Sequence, residues 1–374
     1  MWRYIDDMDT MVNQGLEGVV AAKTTLSMVD GERGELIIAG YPVAELALNA
    51  TFEETVSLLW NDSVDFGSRR ALPQSTLELL ASAAAERVNA MDALRMSLRG
   101  SSGNDTDDAR NIVGLFPTAV AAYWRLSHGR DPIAPRADLG HAANYLYMLS
   151  GEVPIPERVR GLETYLNTVV DHGLNASTFA ARVIVSTGSD FVSAVSGAIG
   201  ALKGPLHGGA PGPALDMVFE IGDVSRAESF LRDKLERGEK LMGFGHRVYK
   251  VRDPRADVLN IAAERMFRGG GDMGLYQLAL GVESVALRLL NEYKPGRNLQ
   301  TNVEFYTALL LHGLGLEVAL FTPTFAISRV AGWVAHGFEQ RRADRIIRPQ
   351  SVYVGPRGRT WSAADGKGET GVTD

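Results

Sequence analysis

The chain has 374 residues, 45% apolar and 22% charged, which is ordinary for a globular protein and leaves room for two or three domain-sized cores. A net charge of -7 and a pI near 5.6 argue against a nucleic-acid surface, so any anion site has to be a local cluster. The absence of cysteine removes disulfides, thiolate metal sites and a Cys nucleophile, and the acidic start MWRYIDDMDTM lacks the apolar stretch of a secretory signal, so a cytoplasmic location is expected.

Between Gly18 and Gly40, β-prone residues around the Asp30-Gly31 turn signal predict a small hairpin, almost the only strand signal in the chain. Beyond it the periodicity is helical and the fold class is mainly α. Thr51 with Glu54, and Ser75 with Glu78, have the spacing of capping boxes at two helix starts. The polar run 99–110 predicts an exposed loop, FRGGGDMG at 267–274 a second break, and the tail after Pro356 no regular structure. The longest apolar region, about 305–335, is interrupted by His312, Glu317 and Arg329, which predicts buried helices rather than a membrane span.

Several common catalytic signatures are missing, including G-x-x-x-x-G-K-[ST], H-E-x-x-H and G-x-S-x-G. GFGHRV carries two glycines of a dinucleotide fingerprint but has Val248 in place of the third. Three histidines instead occupy Gly-rich or helix-boundary settings. His207 lies between Gly204-Pro205 and Gly208-Gly209, where a nearby helix start would keep its imidazole neutral and able to donate a hydrogen bond; a plain turn histidine fits the same residues. His246 is flanked by Gly243 and Gly245 and followed by Arg247, Lys250, Arg252 and Arg255. Asp253 and Pro254 there read as N-cap and first residue of a helix, an anion-binding arrangement. His172 sits near a helix end, with Asn175 as the next cap, and a satisfied structural histidine is the simpler reading of it. Arg329, inside FAISRVAGW, requires a carboxylate from the protein or from a ligand. Glu304 stands three residues after Thr301, so it is either a capping-box partner or a reactive carboxylate at a helix start. Neutral donors, guanidinium groups and one carboxylate together suit proton abstraction beside a carbonyl, with no need of a metal or redox cofactor.

These segments resemble the citrate synthase family, in order along nearly the whole chain: GLEGVVAAKTTLSMVDG, NYLYMLSGEVP, DHGLNASTFAARV, GPLHGGA, GFGHRVYKVRDPRA, NVEFY and RIIRPQSVYVG. The resemblance implies a two-domain helical homodimer, with a large domain at 1–206 and 310–374 and a small domain at 207–309 that closes over the cleft. It implies that acetyl-CoA and oxaloacetate are the substrates and that neither nucleic acid nor membrane is a partner. His207 would bond the thioester oxygen of acetyl-CoA as the enol forms, and His246 would polarise and protonate the oxaloacetate ketone. His172, Arg255, Arg329 and Arg348 would hold the oxaloacetate carboxylates, Arg348 reaching the site of the other subunit. Leu241, Met242, Gly243, Phe244 and Gly245 would face the CoA adenine, and Lys250 a CoA phosphate. Glu304 falls where the family pattern has Asp as the base, a longer side chain at a place where about 1 Å matters. Gly173 stands where an acidic residue is common, which predicts a looser hold on His172. The expected activity is Claisen-type condensation to citrate. The alternatives are 2-methylcitrate synthesis from propionyl-CoA and a silent binding paralogue.

Overall fold

In the computed structural model, which describes residues 14–16, 18–209 and 211–357, the predicted hairpin is present, its strands confined to 27–38 within the expected 18–40. Strands β1 (Ser27–Asp30) and β2 (Glu35–Ile38) pair antiparallel, with Ser27 opposite Ile38 and Asp30 opposite Glu35. Asp30 shapes the turn, its Oδ1 accepting the N–H groups of Glu32 and Arg33 at 3.0 and 2.9 Å. A two-residue strand β3 (Tyr41–Pro42) then pairs with β2 to make a three-stranded sheet. Leu36 and Ile38 point from one face of β2 into the core, the two-residue alternation of a half-buried strand.

Fifteen α-helices follow among the described residues: α1 (Val43–Asn49), α2 (Phe52–Trp60), α3 (Gln74–Ala85), α4 (Ala90–Met96), α5 (Asp105–Ser127), α6 (His141–Ser150), α7 (Pro156–Val169), α8 (Ala176–Ser186), α9 (Phe191–Leu202), α10 (Gly212–Ile221), α11 (Val224–Glu236), α12 (Pro254–Arg268), α13 (Met273–Tyr293), α14 (Val303–Gly313) and α15 (Phe321–Ala343). The capping box at Thr51 and Glu54 opens α2 as expected. The one expected at Ser75 does not form: α3 begins at Gln74 behind Pro73, so Ser75 is already inside the helix. Helix α5 also begins earlier than the polar run suggests. Asn104 caps it, and Asp105, Asp107 and Asp108 crowd its first turn, where the positive end of the helix favours them, so only 99–104 remains a loop. The break at 267–274 separates α12 from α13, whose N-cap is Asp272.

Helix α15 is the centre of the fold, packed by α5, α7, α8 and α9, while α12 lies against α7 and α14. Trp333, Phe321 and Ile327 on α15 are at most 1% exposed, and side chains of this size each contribute about 1.5–3 kcal/mol when buried. By length and hydropathy the stretches Met273–Tyr293 and Val318–Ala343 could each cross a membrane, but 78% of the second is buried inside the protein, as a core helix requires. Contacts divide the chain into a unit spanning Thr24–Ile346 and a smaller one containing the described residues that flank it. In the smaller unit, Gln14–Leu16 is a short 3-10 helix and 347–357 has no regular structure.

Candidate active site

A cavity of about 240 Å³ in the larger unit is lined by His172, His207, His246, Arg255, Glu304 and Arg329, six of the residues singled out from sequence. Three other clefts are larger, but they lack this combination of imidazole, guanidinium and carboxylate groups. Each of the six side chains is held by a different local device.

His207 follows α9 in a Gly-rich loop, and the helix start beside it belongs to α8 rather than to the α10 that follows in sequence. Asn175 caps α8 by accepting from Thr178 N–H, leaving the Ser177 N–H aimed at His207 Nε2 at 3.3 Å, with Ser177 Oγ 2.7 Å from the same nitrogen. A ring nitrogen that accepts a backbone N–H carries no proton, so the proton of neutral His207 is on Nδ1. Burial, helped by the charge of Arg329, pulls the pKa of His207 down to about 4. The imidazole is neutral as expected, but burial and Arg329 are what hold it so, where a helix start was the expected cause. Trp333 on α15 donates to Ser177 Oγ at 3.0 Å and fixes that hydroxyl in turn.

His246 is held from the opposite nitrogen. Its Nδ1 accepts the N–H groups of Val248 and Tyr249 at 3.0 and 3.1 Å, and these two bonds, against the single longer approach of Arg255 Nη2 to Nε2 at 3.2 Å, place the proton on Nε2. Burial and Arg255, whose Nη2 lies 3.2 Å from Nε2, lower its pKa to about 4. His172, two residues past the end cap of α7, sets its Nε2 3.1 Å from the Tyr249 hydroxyl, with the two imidazole rings 6.2 Å apart. Burial, then Arg255 and Arg329, push His172 well below the ordinary histidine value. All three imidazoles are therefore uncharged at neutral pH.

Arg255 opens α12 as predicted, with Asp253 as N-cap and Pro254 first in the helix. The Asp253 carboxylate, 1% exposed, accepts from Arg255 N, Nε and Nη2 at 3.0, 3.0 and 2.8 Å and from Val303 N–H at 3.2 Å. One edge of the guanidinium is thereby fixed and Nη1 is left for the cavity. The remaining basic residues of this segment do not join it. Arg252 is ion-paired to Asp257 and Glu283 at 2.5 and 2.9 Å, and Arg247 and Lys250 are exposed.

Arg329, 2% exposed, donates Nε to Val169 carbonyl at 2.7 Å and stacks over Phe325 at 4.6 Å. No carboxylate oxygen of a described residue lies within ion-pairing distance of it; the buried Asp171 carboxylate acts on it from farther away, and the guanidinium lines the cavity. Burial lowers its pKa to about 10, still charged at neutral pH.

Glu304 is not a capping-box partner of Thr301. Asn302 is the N-cap of α14, accepting from Glu304 N–H at 2.9 Å, and the Thr301 hydroxyl donates to the buried Glu283 at 2.5 Å. Asn caps better than Thr and stands one residue later, so the helix starts there. The Glu304 carboxylate accepts no hydrogen bond from a described residue and faces the cavity. Burial raises its pKa, with Arg255 opposing.

Leu241, Met242, Gly243, Phe244 and Gly245 form a loop joined to the residues before α14. Phe244 bridges Thr301, Gly245 N–H donates to Gln300 carbonyl at 2.7 Å, and Asn302 N–H donates to Gly243 carbonyl at 2.9 Å. Gly243, at φ +87° with Phe305 Cβ 3.0 Å from where a Cβ would stand, suits glycine alone. Arg348 is exposed and belongs to the smaller unit. Beside His172, Gly173 N–H donates to Ser27 Oγ at 2.9 Å. Ser177, Tyr249 and Asn302 were not singled out from sequence. Only Asn302 carried a signal, as a cap-forming residue at a helix start.

A family model described as "Citrate synthase, C-terminal domain" matches residues 15–350. The chain belongs to the citrate synthase family. Citrate synthase 2 of Bacillus subtilis is 41% identical over 365 residues, covering 92% of this chain and 96% of the relative. The 2-methylcitrate synthase of Mycobacterium tuberculosis is 40% identical over 364 residues, covering 92% and 91%. Among solved structures, the ternary complex of Thermoplasma acidophilum citrate synthase with carboxymethyl coenzyme A and oxaloacetate aligns with a TM-score of 0.82 at 28% identity, covering 95% of this chain and 99% of that one. The mainly helical citrate synthase fold expected from the resemblance is thus the observed one, and the family's reaction, acyl transfer by condensation, is this chain's reaction class.

Proposed function

We propose that this protein condenses acetyl-CoA with oxaloacetate and hydrolyses citryl-CoA to citrate and CoA. One observation carries the assignment of roles: a single cavity brings together a partner-free carboxylate, two differently protonated neutral imidazoles and two guanidinium groups with free donor edges. Glu304 takes a proton from the acetyl methyl while the His207 Nδ1–H bonds the developing enol oxygen. The methylene carbon then attacks the ketone carbon of oxaloacetate, and the ketone oxygen receives the proton of His246 Nε2. Arg255, Arg329 and His172 hold the carboxylates, guanidinium forks being suited to that geometry. Water finally attacks the thioester and releases CoA.

The reading extends to a homodimer in which Arg348 reaches the other subunit's site, to loop 241–245 and Lys250 as CoA contacts, and to closure of 207–309 over the cleft. It needs no metal or redox cofactor. The substrate test is thiol release from acetyl-CoA with and without oxaloacetate, repeated with propionyl-CoA. Oxaloacetate-dependent release is expected. Its absence for both acyl-CoAs would refute the reading, and an excess with propionyl-CoA would favour 2-methylcitrate synthesis, which the M. tuberculosis relative makes the second reading. One methylene discriminates by only about 1–3 kcal/mol, so the ratio has to be measured.

A further inference from the structure

None of the hairpin residues lines the cavity, yet the hairpin touches the loops that carry two of its three histidines, His172 and His246. At the β1 end, Ser27 Oγ donates to Asp171 Oδ2 at 2.5 Å and accepts Gly173 N–H at 2.9 Å, so one hydroxyl bridges the residues on either side of His172. At the turn, Gly31 carbonyl accepts Lys250 N–H at 2.9 Å. A Cβ on Gly31 would stand 2.2 Å from Val248 carbonyl oxygen, and one on Gly34 2.7 Å from Val251 Cγ2. Gly31 does not have the left-handed φ that would otherwise explain a glycine, so close approach to loop 246–252 is what requires it. Val248 is also one of the two residues whose N–H holds His246 Nδ1, so a displacement of Val248 passes to the catalytic ring.

The base of the hairpin is anchored as well. Thr25 N–H donates to Glu339 Oε1 at 2.8 Å, and Glu339 is ion-paired to the buried Arg182 at 2.9 Å, which ties β1 to α15 and α8. From Ser27 to Gly31 the strand spans about 13 Å at its ordinary rise. We infer that the β1–β2 hairpin is a positioning element of the active site, with Ser27 setting the loop of His172 and Gly31 setting the loop of His246 against a frame fixed by α15, the helix that supplies Arg329. Ser27 and Gly31 are positioning residues. This inference rests on the roles proposed above for the two histidines.

The test compares Gly31→Ala, Ser27→Ala and Ser27→Thr with the wild type. Gly31→Ala has to move the Val248 carbonyl by about 1 Å, a misplacement of the size that costs on the order of 100-fold in rate, so kcat should fall by at least tenfold at little change in the oxaloacetate KM. Ser27→Ala should instead raise the oxaloacetate KM by roughly tenfold, and Ser27→Thr, which keeps the hydroxyl, should restore it. Amide hydrogen exchange of the peptides covering 171–173 and 246–252, measured on the same proteins, should quicken at 171–173 in Ser27→Ala and at 246–252 in Gly31→Ala. Wild-type kinetics in both variants, or a loss of activity that merely tracks the folded fraction, would overturn the inference. Should the wild type itself turn over no acyl-CoA, the functional reading fails separately and exchange alone decides: unchanged protection in both loops would overturn the hairpin's role, and selective loss would support it.

Discussion

Shortening Glu304 by one carbon tests whether the site is built around the longer side chain. The start of α14 cannot advance to compensate for Glu304→Asp. Asn302 is bonded to Gly243 and Gly245 carbonyls at 2.9 and 2.8 Å, Val303 N–H to Asp253 at 3.2 Å, and the next residues, Phe305 and Tyr306, are 2% and 0% exposed. Losing one C–C bond withdraws the carboxylate by about 1.5 Å. At on the order of 100-fold per ångström of misplacement, kcat should fall at least 100-fold, equivalent to about 2.7 kcal/mol of barrier at 1.36 kcal/mol per decade. The oxaloacetate KM should hold, because Arg255, Arg329 and His172 keep their own supports. The assay is initial thiol release at saturating oxaloacetate, with circular dichroism to confirm folding. A Glu304→Asp enzyme within threefold of wild type, or faster, would refute the claim that α14 presents Glu at its working distance.

Glu304→Gln should reduce turnover by roughly 100- to 10,000-fold while leaving oxaloacetate binding measurable by calorimetry. Because burial raises the Glu304 pKa and the base works only when ionised, the acid limb of kcat should lie above the ordinary carboxylate value of 4.5, with His207 and His246, both near 4, adding nothing between pH 6 and 8; a limb at or below 4.5 would contradict this. Arg329→Lys keeps the charge but loses the fork and the bond to Val169, so oxaloacetate affinity should drop about 10- to 100-fold by the same calorimetry. His141 is fully buried between Phe52 and Phe66, its two ring nitrogens without a partner among the described residues and its pKa held at about 3 by burial. Between pH 3 and 6.5 the unfolded chain binds the proton that the folded one refuses, so stability falls as pH drops from 6.5. His141→Leu should therefore raise the melting temperature and lessen its fall on acidification; an unchanged pH slope would show that this imidazole finds a partner.

What was legible in the sequence was local. Asp253-Pro254 announced the start of α12, Asn175 that of α8, and Thr51 with Glu54 that of α2, because caps act within a single turn. The same logic misled at Thr301, whose hydroxyl is taken by Glu283 from α13, and at Ser75, overtaken by Pro73 and Gln74. The cluster from Arg247 to Arg255 looked like one patch, yet Arg252 is drawn away to Asp257 and Glu283, acids that only the fold brings near. The links of Ser177, Ser27 and Gly31 to the site escaped notice for the same reason. Their partners lie 30, 144 and more than 200 positions away in the chain.

Because Asp253 serves the starts of both α12 and α14, the roles proposed for Arg255 in affinity and for Glu304 in proton removal meet at one position. A lineage that adjusted Arg255 to a different dicarboxylate would also shift the anchor of Glu304, and one that moved Glu304 would disturb Arg255. New specificity in this scaffold is therefore easier to reach at Thr307 and Phe321, which line the cavity and make no hydrogen bond to that carboxylate.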